Sequence, residues 1–66
     1  MKTQHQQDIE TLTSLGLSAD RLAKHSKEEI DMALCAVQES GNDEEMIAEI
    51  GDKATAVMYA ESALGW

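Results

Sequence analysis

Apolar residues recur along this chain at helical spacing, and glycines, with no proline, separate the stretches. Ile9, Leu12 and Leu15 fall on one stripe and predict a first helix. Thr3 followed three residues later by Gln6 has the form of a capping box, so that helix opens at Thr3 and runs to Leu15. Gly16 suits the left-handed position just past a helix end, with Leu17 folding back beyond it. Ser18 caps a short second helix, roughly 19–25, that buries Leu22. Ser26 and Glu29 form a second capping box and start a helix that ends near Ser40, stopped by Gly41.

Placed at 100° steps, the third helix sorts into two faces. Ile30, Ala33, Leu34 and Val37 cluster on a core side, and Glu28, Asp31, Met32, Cys35 and Glu39 gather on the other. Met32 and Cys35 among carboxylates have two readings: a second layer of core, or a strip that contacts a partner. Ala36 extends that strip. Asn42 can cap a last helix whose first turn carries Asp43, Glu44 and Glu45, where negative charge complements the helix dipole. Met46, Ile47, Ile50, Ala54, Val57 and Leu64 continue in phase across Gly51 and predict one long helix from 43 to about 64. A break at Gly51, with Asp52 capping a new helix, is the alternative, because an interior glycine costs about 1 kcal/mol relative to alanine. In the continuous helix Glu61 falls in the apolar seam and needs Arg21, Lys24 or Lys27 as a partner; a splayed end leaves it in water. No window alternates as a strand does. The expected fold is all-α, a small bundle of three to four helices in a single domain over residues 1–66.

Size changes the picture. Sixty-six residues with no Phe, one Trp and one Tyr lie near the lower limit for a self-sufficient core. A homodimer through the Met32, Cys35 and Ala36 strip would relieve the shortage.

Charge changes it more. Residues 1–27 carry three acids against Lys2, Arg21, Lys24 and Lys27, a net of +1. Residues 28–66 carry ten acids against Lys53 alone, a net of −9, and together the two give the chain's −8. Such a field repels nucleic acid and attracts basic surfaces. With Tyr59 and Trp66 as the only aromatics, direct nucleic-acid binding is disfavoured on charge and on stacking grounds. In a continuous last helix Glu45, Glu49 and Asp52 recur at i, i+4 and i+7 on the outer side, about 4.5–6 Å apart along the axis. Phosphates on a DNA strand have a comparable spacing of a few ångströms. A rigid row of carboxylates can therefore occupy a groove of lysines and arginines built for phosphates.

Catalytic and metal chemistry find no pattern. His5, His25 and Cys35 share no ligand spacing, so neither a metal nor a cofactor is expected. Cys35 is alone, which rules out an intramolecular disulfide, and it sits among acids that oppose thiolate formation. Asp43, Glu44 and Glu45 lack the ligand alternation of a calcium loop, and no glycine-rich phosphate loop is present. His25 reads as the residue closing the second helix. No run approaches a membrane span, and Met1-Lys2-Thr3-Gln4 lacks a signal-peptide core. A soluble, cytoplasmic, non-enzymatic protein is expected.

The small size, the acidic segments 28–39 and 43–52 and the lack of catalytic groups resemble the anti-CRISPR and anti-restriction proteins of phages and mobile elements, several of which act as DNA mimics. The resemblance is one of class, without a shared motif. It implies an inhibitor, phage-encoded and acting in the host cell, that covers a basic nucleic-acid channel with Glu28, Asp31, Glu39, Glu45, Glu49 and Asp52. A second likeness lies in Ile9-x-x-Leu12-x-x-Leu15-Gly16-Leu17-Ser18, which resembles the first helix and loop of ubiquitin-associated-type three-helix domains. Ala33-Leu34, Gly41-Asn42 and Met46-Ile47 are similar to their later helices, although Leu17 stands where that family has an aromatic. This likeness implies a helical interaction module, binding through the apolar strip.

Overall fold

The computed structural model describes residues 1–66 as five helices and no strand: α1 Gln4–Ser14, α2 Ala19–Leu22, α3 Lys27–Ser40, α4 Glu44–Ile50 and α5 Asp52–Leu64. The helix starts are set by side chains close in sequence. At α1 the Thr3 hydroxyl accepts from the Gln6 N–H at 3.1 Å, and the Gln6 side chain accepts from the Thr3 N–H at 3.0 Å. Ser26 and Glu29 repeat this at α3, at 3.2 and 3.0 Å. Each box satisfies two donors that a helix start otherwise leaves free. Ser18 caps α2 through the Arg21 N–H.

α3 and α5 form the central pair, with α1 packed on α3 and α4 on α5. The core is Leu12, Leu17, Leu22, Ile30, Ala33, Ala60 and Leu64, with Leu34, Val37 and Val57 at its edge. Ala33 on α3 and Ala60 on α5 are both fully buried. Small residues at such positions let helix axes approach closely, which suits a chain short of large apolar side chains.

The long last helix is not formed. Gly51 has φ +93°, a left-handed-side conformation that costs L-residues roughly 1–2 kcal/mol and glycine almost nothing. The Gly51 N–H closes α4 on the Ile47 carbonyl at 2.9 Å, and the Gly51 carbonyl opens α5 by accepting from the Thr55 N–H at 3.1 Å. The helix count is therefore five rather than three or four. Gly51, not Asp52, holds the N-cap position of α5, and no side chain caps that end. The break also resets the helical phase. Thr55, Ala56, Ala60 and Leu64 face inward, whereas Ala54 is exposed and Ile50 is 43 % exposed. At α4 the cap is Asp43 rather than Asn42: Gly41, Asn42 and Asp43 close i→i−3 turns after α3, which delays the next helix by one residue. α2 ends at Leu22 for a similar reason, since Lys24 and His25 bond three residues back.

The chain end is fastened by its own side chains. Gly65 (φ +77°) and Trp66 close a Schellman motif on the Ser62 and Glu61 carbonyls. The Trp66 indole N–H donates to His25 Nε2 at 2.9 Å, and the Arg21 guanidinium lies 4.0 Å from the ring centroid. An indole N–H can only donate, so the His25 proton in this arrangement lies on Nδ1, which faces Glu29 Oε2 at 3.2 Å. His25 thus ties the end of α5 to the start of α3, beyond the closing role expected of it. Glu61 is half-buried and makes no ion pair with Arg21, Lys24 or Lys27.

Candidate partner-binding face

The acidic half folds with its carboxylates outward. Glu28, Asp31 and Glu39 on α3, Glu45 and Glu49 on α4, and Asp52 at the start of α5 are all exposed. The molecule's ion pairs are Lys2 with Glu10 and His25 with Glu29, so none of these six carboxylates is neutralised within the chain. Glu45 and Glu49 share one face of α4 at i, i+4. Asp52 does not continue their row, because Gly51 turns the backbone between them. The straight i, i+4, i+7 comb expected of a continuous helix is therefore broken after Glu49.

Where α3, α4 and α5 meet lies an apolar groove of about 360 Å³, lined by Ala36 of α3, Met46 of α4 and Met58, Tyr59, Ser62 and Ala63 of α5. Of the three strip residues, Ala36 is half-buried and lines the groove. Met32, one helical turn before it, is 59 % exposed, and Cys35 is exposed. Neither belongs to a second core layer. Met46, expected on the core side, is half-buried and lines the groove, as does Met58. Met58 is 50 % exposed.

Tyr59 joins this groove to a polar notch lined by Glu39, Asn42 and Asp43. Its hydroxyl donates to Asp43 Oδ2 at 2.6 Å, while Asp43 Oδ1 accepts the Met46 N–H at 3.2 Å. One carboxylate thereby caps α4 and fixes a wall of the groove. The Tyr59 hydroxyl, and then the Met46 N–H, hold the Asp43 carboxyl below its ordinary range. The bond to Asp43 pushes the Tyr59 phenol up, helped by lost solvation and by the charges of Asp43 and Glu39. Lys53, the only base in residues 28–66, lines neither groove nor notch.

No cluster of three or more His, Cys, Asp or Glu side chains is placed to hold a metal ion. No helix is long and apolar enough to cross a membrane. The arrangement offers a surface: unpaired carboxylates around a deformable apolar trough. The excess of methionine over phenylalanine was the one sequence signal for that trough, since thioether side chains fill irregular or adaptable surfaces. Comparison with protein families, curated proteins and solved structures finds no match for this chain.

Proposed function

We propose that this protein is a small, non-catalytic inhibitor that occupies a basic, nucleic-acid-binding surface of a defence or nucleic-acid-processing complex. The observation that carries this reading is uncompensated charge. Residues 28–66 have a net charge of −9, and the exposed Glu28, Asp31 and Glu39 of α3 and Glu45 and Glu49 of α4 pair with no cation of the chain. Ordinary solvated faces interleave both signs; this one leaves neutralisation to a partner. Surfaces whose lysines and arginines neutralise nucleic-acid phosphates are the complement of such a charge. With the comb broken at Gly51, the mimicry is of charge density over two helices rather than of one straight strand.

The second reading, a helical interaction module that binds through apolar contact, is favoured by the exposure of Met58 in the groove and of Met32 one helical turn before Ala36. Salt distinguishes the two. The complex is isolated on the immobilised protein, its bound component identified, and labelled DNA displaced from that component at increasing ionic strength. Inhibition by charge weakens steeply with salt, because screening acts over about 8–10 Å. Affinity independent of salt, or DNA and this protein bound together without competition, overturns the inhibitor reading in favour of the module.

A further inference from the structure

The groove is apolar on its floor and negative at its edge, and the two are physically continuous. Ala36 and Ala63 leave room between α3 and α5, and Met46 and Met58 give the walls side chains that repack around different occupants. At the Tyr59 end the floor runs into the notch of Glu39 and Asp43, whose carboxylates have no lysine or arginine beside them. The Tyr59 hydroxyl holds Asp43 in place at that end. An uncharged apolar ligand would leave those carboxylates unmatched, and a flexible cationic chain would leave Met58 and Met32 uncovered. The complement is a segment with both characters on opposite faces.

We propose that this groove seats one amphipathic helix of the partner, with its apolar stripe on Met46, Met58 and Tyr59 and a lysine or arginine in the Glu39–Asp43 notch. The proposal rests on the reading that the partner is basic, and specifies how a basic partner is gripped. Helices bind such troughs through anchors at i, i+3 or i+4, and i+7. A second copy of this chain fits poorly by the same face. A two-fold contact brings identical patches together, which would bury two copies of the Glu39–Asp43 notch in one contact between chains of charge −8.

The test uses the methionine methyl groups of the intact protein. The chain has four methionines: Met46 and Met58 line the groove, Met32 lies one helical turn before its Ala36, and Met1 is a fully exposed reference. Methyl-¹³C-methionine protein is titrated with three synthetic peptides of equal charge, each about 18 residues long. One has leucines at helical spacing with lysines elsewhere, one is its scramble, and one is an uncharged-polar and lysine peptide without leucine. The amphipathic peptide should bind at least about tenfold more tightly than the other two. It should shift the Met32, Met46 and Met58 methyls and spare Met1. Met58→Ser should remove that margin and leave the affinity for the leucine-free peptide unchanged.

Equal affinity for all three peptides, with the methionine methyls unmoved, overturns the groove while leaving a basic partner in place. Failure of every peptide to bind at low salt overturns both. Methyl shifts that follow protein concentration alone, with a doubled mass by light scattering, assign the groove to a second copy instead. The wild-type spectra decide between these outcomes even if the variant loses helicity.

Discussion

Residues 1–27 and residues 28–66 handle their polar and apolar groups in opposite ways. In the first segment Leu12, Leu17 and Leu22 are buried, Thr3 and Ser18 cap their helices, and Lys2 pairs with Glu10. In the second, ten acids face a single lysine, and Met32, Ile50 and Met58 are the large apolar residues left exposed apart from Met1. The first segment is close to what stability alone would choose, apart from a buried Asp8 that pairs with Gln4 and a buried His5 Nδ1 that has no hydrogen-bond partner. The second supplies four of the seven residues of the same core, Ile30, Ala33, Ala60 and Leu64, yet keeps charge and apolar surface that folding does not use. The difference teaches where to look for function: in groups whose interactions the fold leaves incomplete.

The comparison can be broken most severely in the core. Leu22→Ala or Ile30→Ala should cost about 2–5 kcal/mol, a large share of the roughly 5–15 kcal/mol that holds a small domain folded. Both residues are fully buried. Met58→Ala, at a half-exposed site, should cost less than about 1 kcal/mol, as substitutions away from the core do. Urea unfolding measures all three. A loss at Met58 as large as that at Leu22 would make the groove wall part of the core, and would erase the distinction between the segments.

Within the acidic segment, Gly51 separates α4 from α5. Gly51→Ala should destabilise by about 1 kcal/mol, because alanine is strained at φ +93° although a Cβ would meet no neighbour there. Thermal melts with far-ultraviolet circular dichroism test it. A variant that gains both stability and helix content would mean that α4 and α5 prefer to fuse, restoring the row of Glu45, Glu49 and Asp52.

This position also shows what could be read from the amino-acid order. Both capping boxes, the Ser18 cap, the positive φ of Gly16 and the outward direction of the six carboxylates were legible, because each depends on residues within about one turn. The all-helical fold followed from the same periodicity. Gly51 was ambiguous because the apolar pattern on either side of it fits one phase almost as well as two. The phase of α5, and with it the burial of Thr55 and Ala56 in place of Ala54, depended on that choice. The bond from Trp66 to His25 spans 41 residues, and the groove takes its lining from three helices. Neither has a local signature.

A smaller effect should follow acid. In the fold the Asp43 carboxyl titrates below its unfolded value, owing to Tyr59 and the Met46 N–H, and Glu29 does so through Ser26 and His25. A depressed carboxyl contributes stability above its unfolded pKa and loses it as pH falls through the folded one. The Tyr59 phenol, raised by Asp43, behaves the other way: its contribution is present at neutral pH and is lost as pH rises through its folded value. Asp43→Asn keeps one oxygen to cap α4, but puts an NH2, which can only donate, where Oδ2 accepted from Tyr59, so it removes the charge and that hydrogen bond together. The stability gap between wild type and variant should be constant near neutrality, close below the ordinary carboxylate range, and narrow in strong base. A gap unchanged from acid to base would remove the charge of Asp43 from the account.

The smallest effect on folding is the one that best separates stability from function. Glu49 lies in the last turn of α4, where the helix dipole disfavours an anion, and one turn after Glu45, which repels it. It makes no hydrogen bond or ion pair that would offset either penalty, and it is exposed. Glu49→Lys removes both penalties and creates a Glu-to-Lys i, i+4 pair in the favourable direction. It should raise stability by about 0.5 kcal/mol. The same change adds a cation to the face proposed to meet a basic partner, so binding should weaken, and weaken most at low salt. Chemical denaturation and a salt series of binding isotherms, made on one preparation, report the two quantities independently. A more stable and weaker-binding variant would identify Glu49 as an acid held against folding for the sake of contact. A more stable variant with unchanged binding would take the Glu45–Glu49 face of α4 out of the interface and leave α3 and the groove as the face that meets the partner.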